Sequence, residues 1–418
     1  CASVAHDFSI DLSGKHMPTK GDQKYGRNGR TGAFFGLRIV NSTRVEKKMV
    51  GDFVIGEKGA FSDCAQESFT LPSRYYTDPG IHDQEMSAIF QCSWLYVGHV
   101  SDLPDVGSYL TEEVAGQPIL IVRSQDNSLR AFFNVCQHRG HTLLSGRGQL
   151  KGRIVCPYHA WCYGLDGALL SARMTRDIPN FDLAEFPLKP VQLAMAAGLL
   201  FVNFDPTASP ADGDLLDFEE TIIGHIPEMS EYAAKHRFDF DIAANWKVVV
   251  DNFSEGYHIP IAHPTLSTLY NEKGGLSRIG KYFGCYQKTA RAGFEKLGTK
   301  GGEPYVTWFL WPNLCLLSLP GSPQLIVLRI SPNGPRRSLE HADIYSPIDV
   351  DSPNLEVIKS LFAEMFNQED IALVESVQRG LESLGYDQGR YVADPAESWF
   401  TESGLHRFHS QIIEALDR

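Results

Sequence analysis

Apolar and polar positions change rhythm several times along the chain. Up to about residue 60 they keep no clear period. Asp83–Phe90 then reads as a helix. From residue 91 to about 204, short apolar runs alternate with turns. Trp94–Val100, Ile119–Arg123, Leu129–Asn134, Arg153–Cys156 and Gly198–Asn203 predict strands, divided by turns such as Gln125–Ser128 and Asp166–Gly167. That spacing implies a small β-barrel or sandwich. Pro206–Asp214 is rich in Pro, Ala, Ser and Asp and reads as a linker. Beyond it, Asn245–Tyr257 predicts a helix ended by Pro260, and 281–291, 305–318, 324–331 and 338–345 predict an antiparallel sheet. Asn354–Leu384 carries Leu355, Ile358, Leu361, Phe362 and Met365, then Ile371, Val374, Val377 and Leu381, at helical spacing. Leu405–Leu416 predicts a last helix. The expected fold class is α+β: a β-rich domain, then a catalytic domain with an antiparallel sheet flanked by helices. The expected divisions are a loose arm over 1–60, a helical segment over 61–90, the β-rich domain over 91–206 and the mixed domain over 207–418.

Composition narrows the function classes. The 418 residues suit two or three domains with a sizeable core. The net charge of −13 repels phosphate backbones, so nucleic acid is not an expected partner, whereas a basic redox protein would be attracted. No apolar run is long enough to cross a bilayer, and no signal peptide is visible, so a cytoplasmic location is expected. The eight cysteines are scattered, which implies thiols in a reducing compartment and not a disulfide scaffold. Residues 1–60 carry a net charge of +4 and nine glycines, against −17 for the remainder. With Cys1 in place of methionine, this stretch is expected to be an arm or a reading-frame artefact.

Two of those cysteines have histidines at ligand spacing. Cys136-Gln137-His138 and Cys156-Pro157-Tyr158-His159 each end a predicted strand, where a tight loop can aim both side chains at one point. Two thiolates suit one ferric ion, and two imidazoles leave a second iron less negative, which raises the potential of a [2Fe–2S] cluster. A structural zinc site also uses two Cys and two His, but it usually pairs like with like.

A second constellation lies in the stretch Asn245–Pro264, which holds Asp251, Asn252, Glu255, His258 and His263. Asp251, Glu255 and His258 are four and three apart, so one helix face is expected to carry all three. His263 lies past Pro260 and can fold back towards His258. A carboxylate from elsewhere would complete a two-histidine, one-acid set for Fe(II) with open positions for O2. By itself His-x4-His is a weak motif, and a structural histidine near a bend is the bland alternative. A redox cluster in the same chain reverses the balance, because it needs something to reduce.

The string from Cys136 to Gly140, with Cys156–Trp161 and the turn residues Tyr163, Gly164, Asp166 and Gly167, resembles the Rieske domain of ring-hydroxylating and related oxygenases. The resemblance covers roughly 65–418. It implies a mononuclear iron on His258, His263 and the C-terminal acid Asp370, with Glu369 as the rival acid. It implies a homotrimer in which Glu255 links the cluster of one subunit to the iron of the next. Electrons would come from NAD(P)H through a separate reductase, with or without a ferredoxin, since no dinucleotide or flavin motif is visible. Asn252 and Glu255 are the expected catalytic residues beside the metals. Many aromatic-ring members have Asp where this chain has Glu255; glutamate there is similar to the choline, carnitine and glycine betaine branch, which typically consists of monooxygenases. Trp308, Phe309, Trp311, Tyr270 and Tyr305 are candidates for an aromatic cage around a quaternary amine, or else are simply core. An aromatic-ring dioxygenase alpha subunit and a pure Rieske electron carrier are the competing readings.

The charge reversal and glycine density of the first sixty residues generate one prediction. Deleting residues 1–60 should leave the melting temperature and iron–sulfur content nearly unchanged. Calorimetry and visible absorbance of the truncated protein check it; a large loss of either would mean that the arm packs on the body.

Overall fold

The computed structural model describes residues 59–209, 214–264, 270–279, 283–290, 304–318, 323–348, 354–396, 398 and 401–417. The expected arm therefore lies outside the described residues, except for its last two.

The first half builds ten strands: β1 (Leu95–His99), β2 (Ser108–Val114), β3 (Gln117–Arg123), β4 (Leu129–Phe133), β5 (Arg147–Gln149), β6 (Arg153–Val155), β7 (Cys162–Gly164), β8 (Leu169–Ser171), β9 (Pro190–Ala196) and β10 (Leu199–Asn203). One antiparallel sheet has the order β1-β10-β9-β4-β3-β2-β5, and a three-stranded sheet has the order β6-β7-β8. The apolar runs at β1, β3, β4, β6 and β10 are strands within a residue or two of expectation. β2, β5, β7, β8 and β9 have weaker signals because they are short or face water on one side.

The second half forms one sheet from β11 (Tyr232–Ile242), β12 (Tyr270–Ile279), β13 (Phe283–Ala290), β14 (Pro304–Leu310), β15 (Leu314–Ser318), β16 (Leu325–Pro332) and β17 (Ser338–Pro347). Its order is β11-β17-β16-β15-β14-β13-β12, antiparallel throughout. The expected strand 305–318 is in fact two, because Trp311–Asn313 turns the chain at Pro312. β11 escapes the apolar pattern: it is an edge strand carrying Lys235, Arg237, Asp239 and Asp241, the kind of charge that discourages edge pairing.

Helices cover this sheet. Trp246–Phe253 is capped by the Asn245 side chain, which accepts from the Lys247 amide at 3.0 Å. It stops at Phe253, four residues short of expectation, so Glu255 and His258 do not continue its face. Asp251, still in the helix, accepts from the Tyr76 hydroxyl at 2.8 Å and lies 2.9 Å from His409 Nε2. The long C-terminal rod is Leu355–Ser360, a π-helical turn Leu361–Phe366, and Asn367–Leu381. Its Gln378 accepts from the Asn245 amide at 2.9 Å, and its Glu375 accepts from the Ala243 amide at 3.0 Å. These bonds set the register between the two helices.

The segment Pro79–Glu85, continued by Met86–Phe90, packs behind that pair. Trp246 donates from Nε1 to Glu85 at 2.9 Å, and Lys247 Nζ lies 2.6 Å from the other Glu85 oxygen. Both charged side chains are 0% exposed. Burial pulls the Lys247 ammonium below its usual range, and Glu85 works against that. The two halves are also tied by charge. Arg329 of β16 donates to the Tyr96 carbonyl on β1 at 3.0 Å and to Glu112 on β2 at 3.1 Å.

Removing one partner of the dry Glu85–Lys247 pair strands the other. Glu85→Ala should therefore cost about 3–5 kcal/mol. Glu85→Leu combined with Lys247→Met should sit much closer to wild type. Urea denaturation of the single and double variants measures both; a mild single variant would sink this account.

Two candidate metal centres

The first centre sits at the tips of two loops with the same backbone plan. Cys136 donates its amide to the His141 carbonyl at 2.9 Å, and Gly140 returns a bond to the Cys136 carbonyl at 2.9 Å. In the other loop Cys156 donates to Trp161 at 2.8 Å and Ala160 returns to Cys156 at 3.0 Å. The returning residue is left-handed in both, with φ of 72° at Gly140 and 60° at Ala160. The loops thereby aim Cys136, His138, Cys156 and His159 at one another.

Both thiols are buried and free, whereas His138 is exposed and His159 half-buried. The two imidazoles stand edge to face, their centroids 4.6 Å apart, with His138 stacked on Trp161 at 4.8 Å. Tyr163 Oη lies 3.3 Å from Cys136 Sγ and accepts from the Gln137 amide at 3.0 Å. Burial raises the Cys136 thiol and the neighbouring Cys156 adds to that, opposed by the Tyr163 hydroxyl. Two adjacent buried thiols unlinked by a disulfide, with two imidazoles on the solvent side, are a donor set that fits a [2Fe–2S] cluster held by both residue types. Cys162 is buried and free beside it.

The second centre spans 113 residues of sequence. Ile259–Ala262 is a single helical turn with Pro260 inside it, where proline is tolerated, so the chain is not broken there. His258 and His263 flank that turn with ring centroids 5.2 Å apart. From the long helix, Asp370 Oδ1 comes within 2.9 Å of His263 Nε2 and 3.6 Å of His258 Nε2. Donor atoms of these three residues all lie within 4.8 Å of one another.

Carboxylates occupy the far side of each ring. Glu255 Oε1 is 2.5 Å from His258 Nδ1, and Glu369 Oε2 is 2.6 Å from His263 Nδ1. An ionised carboxylate only accepts, so each Nδ1 donates to its glutamate, and His263 donates to Asp370 from Nε2 as well; a bound metal ion would take the place of that Nε2 proton. Burial alone would lower His263, but Asp370 and Glu369 outweigh it and raise it above its ordinary value. Excess negative charge held around a proton is what a divalent cation would exploit, and the set fits a two-histidine, one-carboxylate iron site. Glu369 and Asp370 thus take different positions on the same ring, which spacing does not reveal. The second oxygen of Glu255 accepts from the amides of Tyr257 and His258, so it is engaged within its own chain.

The centre opens onto an apolar cavity of about 120 Å³ between the sheet and the two helices. Asn252, Phe253, Phe362 and Phe366 line it from the helices, and Thr307, Leu328 and Glu340 from the sheet. Trp308, Phe309 and Trp311 do not line it. Trp308 is buried in the core on the other face of the sheet, and Phe309 and Trp311 pack against Phe408. The side chains of Tyr270 and Tyr305 lie outside the described residues. Glu340 was not singled out from the sequence. Its signal is parity: it shares the inward face of β17 with Ser338, Ala342 and Ile344.

The Rieske [2Fe-2S] domain family matches residues 93–182, and the family of the ring hydroxylating alpha subunit (catalytic domain) matches residues 229–418. The chain is 35% identical over 373 residues to the carnitine monooxygenase oxygenase subunit of Escherichia coli K12, covering 87% of this chain and 97% of that one. It is 31% identical over 376 residues to the chloroplastic choline monooxygenase of Amaranthus tricolor, covering 84% and 79%. The solved structure of a quaternary ammonium Rieske monooxygenase, reported for carnitine oxidation and inter-subunit electron transfer, superposes with a TM-score of 0.80 at 33% identity, covering 85% and 97%. A Rieske cluster and a mononuclear iron come with these two domains. The chain belongs to the Rieske non-haem iron oxygenases, in the family of ring-hydroxylating alpha subunits.

Proposed function

We propose that this chain is the terminal oxygenase of a quaternary-amine monooxygenase system. The observation that carries the reading is the presence of two complementary donor sets in one chain, the second opening on a largely apolar cavity. Cys136, His138, Cys156 and His159 would hold the cluster, and His258, His263 and Asp370 the mononuclear iron. When bound, the cluster relays single electrons and the iron activates O2. The remaining work belongs to the protein. Glu255 and Glu369 hold the two ring Nδ1 protons and so orient both imidazoles. Phe253, Phe362 and Phe366 keep water from the reacting region, and Asn252 offers an amide in the cavity wall. Electrons come from NAD(P)H through a separate reductase, directly or by way of a ferredoxin. The outcome is hydroxylation, demethylation or C–N cleavage of a small substrate.

The substrate class is supported by the carnitine and choline relatives and by the cavity itself. No Lys or Arg lines it among the described residues, so an anionic ring substrate finds no counter-charge there. We also propose a head-to-tail homotrimer in a reducing, cytoplasmic setting. Apolar side chains stand exposed beside both centres: Tyr158 and Met174 near the cluster loops, Tyr257 and Ile261 near the iron site, with Met174 and Ile261 89% and 87% exposed. Such paired patches suit a heterologous, ring-closing interface.

Oxygen and NADH consumption with a matched reductase should rise on adding choline, carnitine or glycine betaine, and stay flat with naphthalene or benzoate. The opposite pattern would move the chain to the aromatic-ring reading; protein carrying only cluster iron would favour an electron carrier. Glu255→Ala should leave cluster absorbance intact and slow substrate-driven cluster reoxidation about 10- to 100-fold, with Glu255→Asp partly restoring it. Wild-type reoxidation in an iron-replete Glu255→Ala protein would rule out its role.

A further inference from the structure

A quaternary ammonium group leaving water for an apolar cavity needs compensating negative potential. The aromatic cage expected from Trp308, Phe309 and Trp311 is absent from the described cavity wall, which leaves three phenylalanines and the carboxylates. Two of those carboxylates are already committed: Glu255 to His258, and Asp370 to the facing Nε2 atoms. The third is Glu340, on the floor of the cavity. It is 3% exposed and lies on β17, opposite Phe240 of β11 on one side and Ile330 of β16 on the other. Asn367 donates to its Oε1 at 2.7 Å, and its Oε2 accepts no hydrogen bond among the described residues. No cation among the described residues pairs with it, although most buried carboxylates are paired.

We propose that Glu340 is the anionic seat for the substrate's quaternary nitrogen and thereby sets the enzyme's preference for cations. The proposal rests on the quaternary-amine reading and names the residue that enforces it. Asn367, which fixes one oxygen of Glu340, precedes Asp370 by three positions on the same helix. Asn367 and Asp370 are thus neighbours on one helix face, their Cβ atoms about 5–6 Å apart, and Glu340 and Asp370 line the same cavity. A nitrogen held there presents its attached carbons to the iron site, the positions at which hydroxylation leads to demethylation or C–N cleavage. The electrostatics agree. Burial pushes the Glu340 carboxyl up to about 7, Asn367 counters this, and the charge of Asp370 adds to it. A substrate cation would supply the counter-charge that the cavity lacks.

The test compares cations with their uncharged carbon isosteres on iron-replete, cluster-loaded protein. Calorimetry would measure choline against 3,3-dimethylbutan-1-ol, and γ-butyrobetaine against 5,5-dimethylhexanoate. Wild type should bind at least one cation roughly tenfold or more tightly than its isostere. Glu340→Gln keeps an acceptor for Asn367 and nearly the same volume, so it should retain both metals while the preference collapses towards unity. A cation preference that survives in Glu340→Gln overturns the seat and leaves the quaternary-amine reading standing. Equal binding of cation and isostere by wild type overturns the seat without any variant. If wild type binds neither cation and turns over neither, the quaternary-amine reading itself fails.

Discussion

Two imidazoles must turn their Nε2 atoms to one point beside a single carboxylate, and the rest of the catalytic half follows from that requirement. A ring is aimed only when its other nitrogen is held. Here Glu255 and Glu369 do the holding, at 2.5 and 2.6 Å. Glu255 is local to His258, whereas Glu369 and Asp370 arrive from more than a hundred residues away. The long helix must therefore be located to within a fraction of a turn. Gln378 and Glu375 do this by accepting from the backbone at the entry to the helix that precedes the histidines. Behind that helix, the dry Glu85–Lys247 pair anchors it to the segment Pro79–Phe90. A π-helical turn just before Asn367 offsets the rod where it passes the cavity, a distortion that recurs at functional sites.

The cluster half obeys a different constraint. Its donors come from two loops rather than from a helix, so precision comes from repeated backbone geometry. In each loop a left-handed residue returns the chain four positions after the cysteine. The thiols point into the core with Trp161 and Tyr163, and the imidazoles face out. That polarity suits a group whose sulfur side is insulated and whose histidine side meets an electron acceptor. Arg329, bonded to Tyr96 and Glu112, locks this half onto the catalytic sheet.

The cavity shows how a buried charge can carry chemical information. An apolar wall excludes water from the iron site. The same wall makes any unpaired carboxylate within it costly, so Glu340 stands out among its Ile, Leu and Phe neighbours. Selectivity for cations by one acid differs from selectivity by aromatic faces. The acid responds to net charge, the faces also to shape and polarisability.

Much was legible in the residues alone. The cluster donors could be read because each loop keeps cysteine and histidine within four positions, a spacing that survives any tertiary arrangement. The apolar runs of β3, β4, β10 and β16 and the period of the C-terminal helices were likewise local signals. Tertiary structure decided the rest. The helix after Asn245 ends at Phe253, so Asp251 turns to Tyr76 and His409 while Glu255 reaches His258 from a loop. Which of Glu369 and Asp370 faces which nitrogen depends on how one helix is rotated against another, a packing property with no local trace. The aromatic residues 308, 309 and 311 are core and not cage: strand parity turns Trp308 to the other face of the sheet, while Phe309 and Trp311 pack against Phe408. Spacing within a few residues is set by the chain itself, whereas contact across a hundred residues is set by what the core buries.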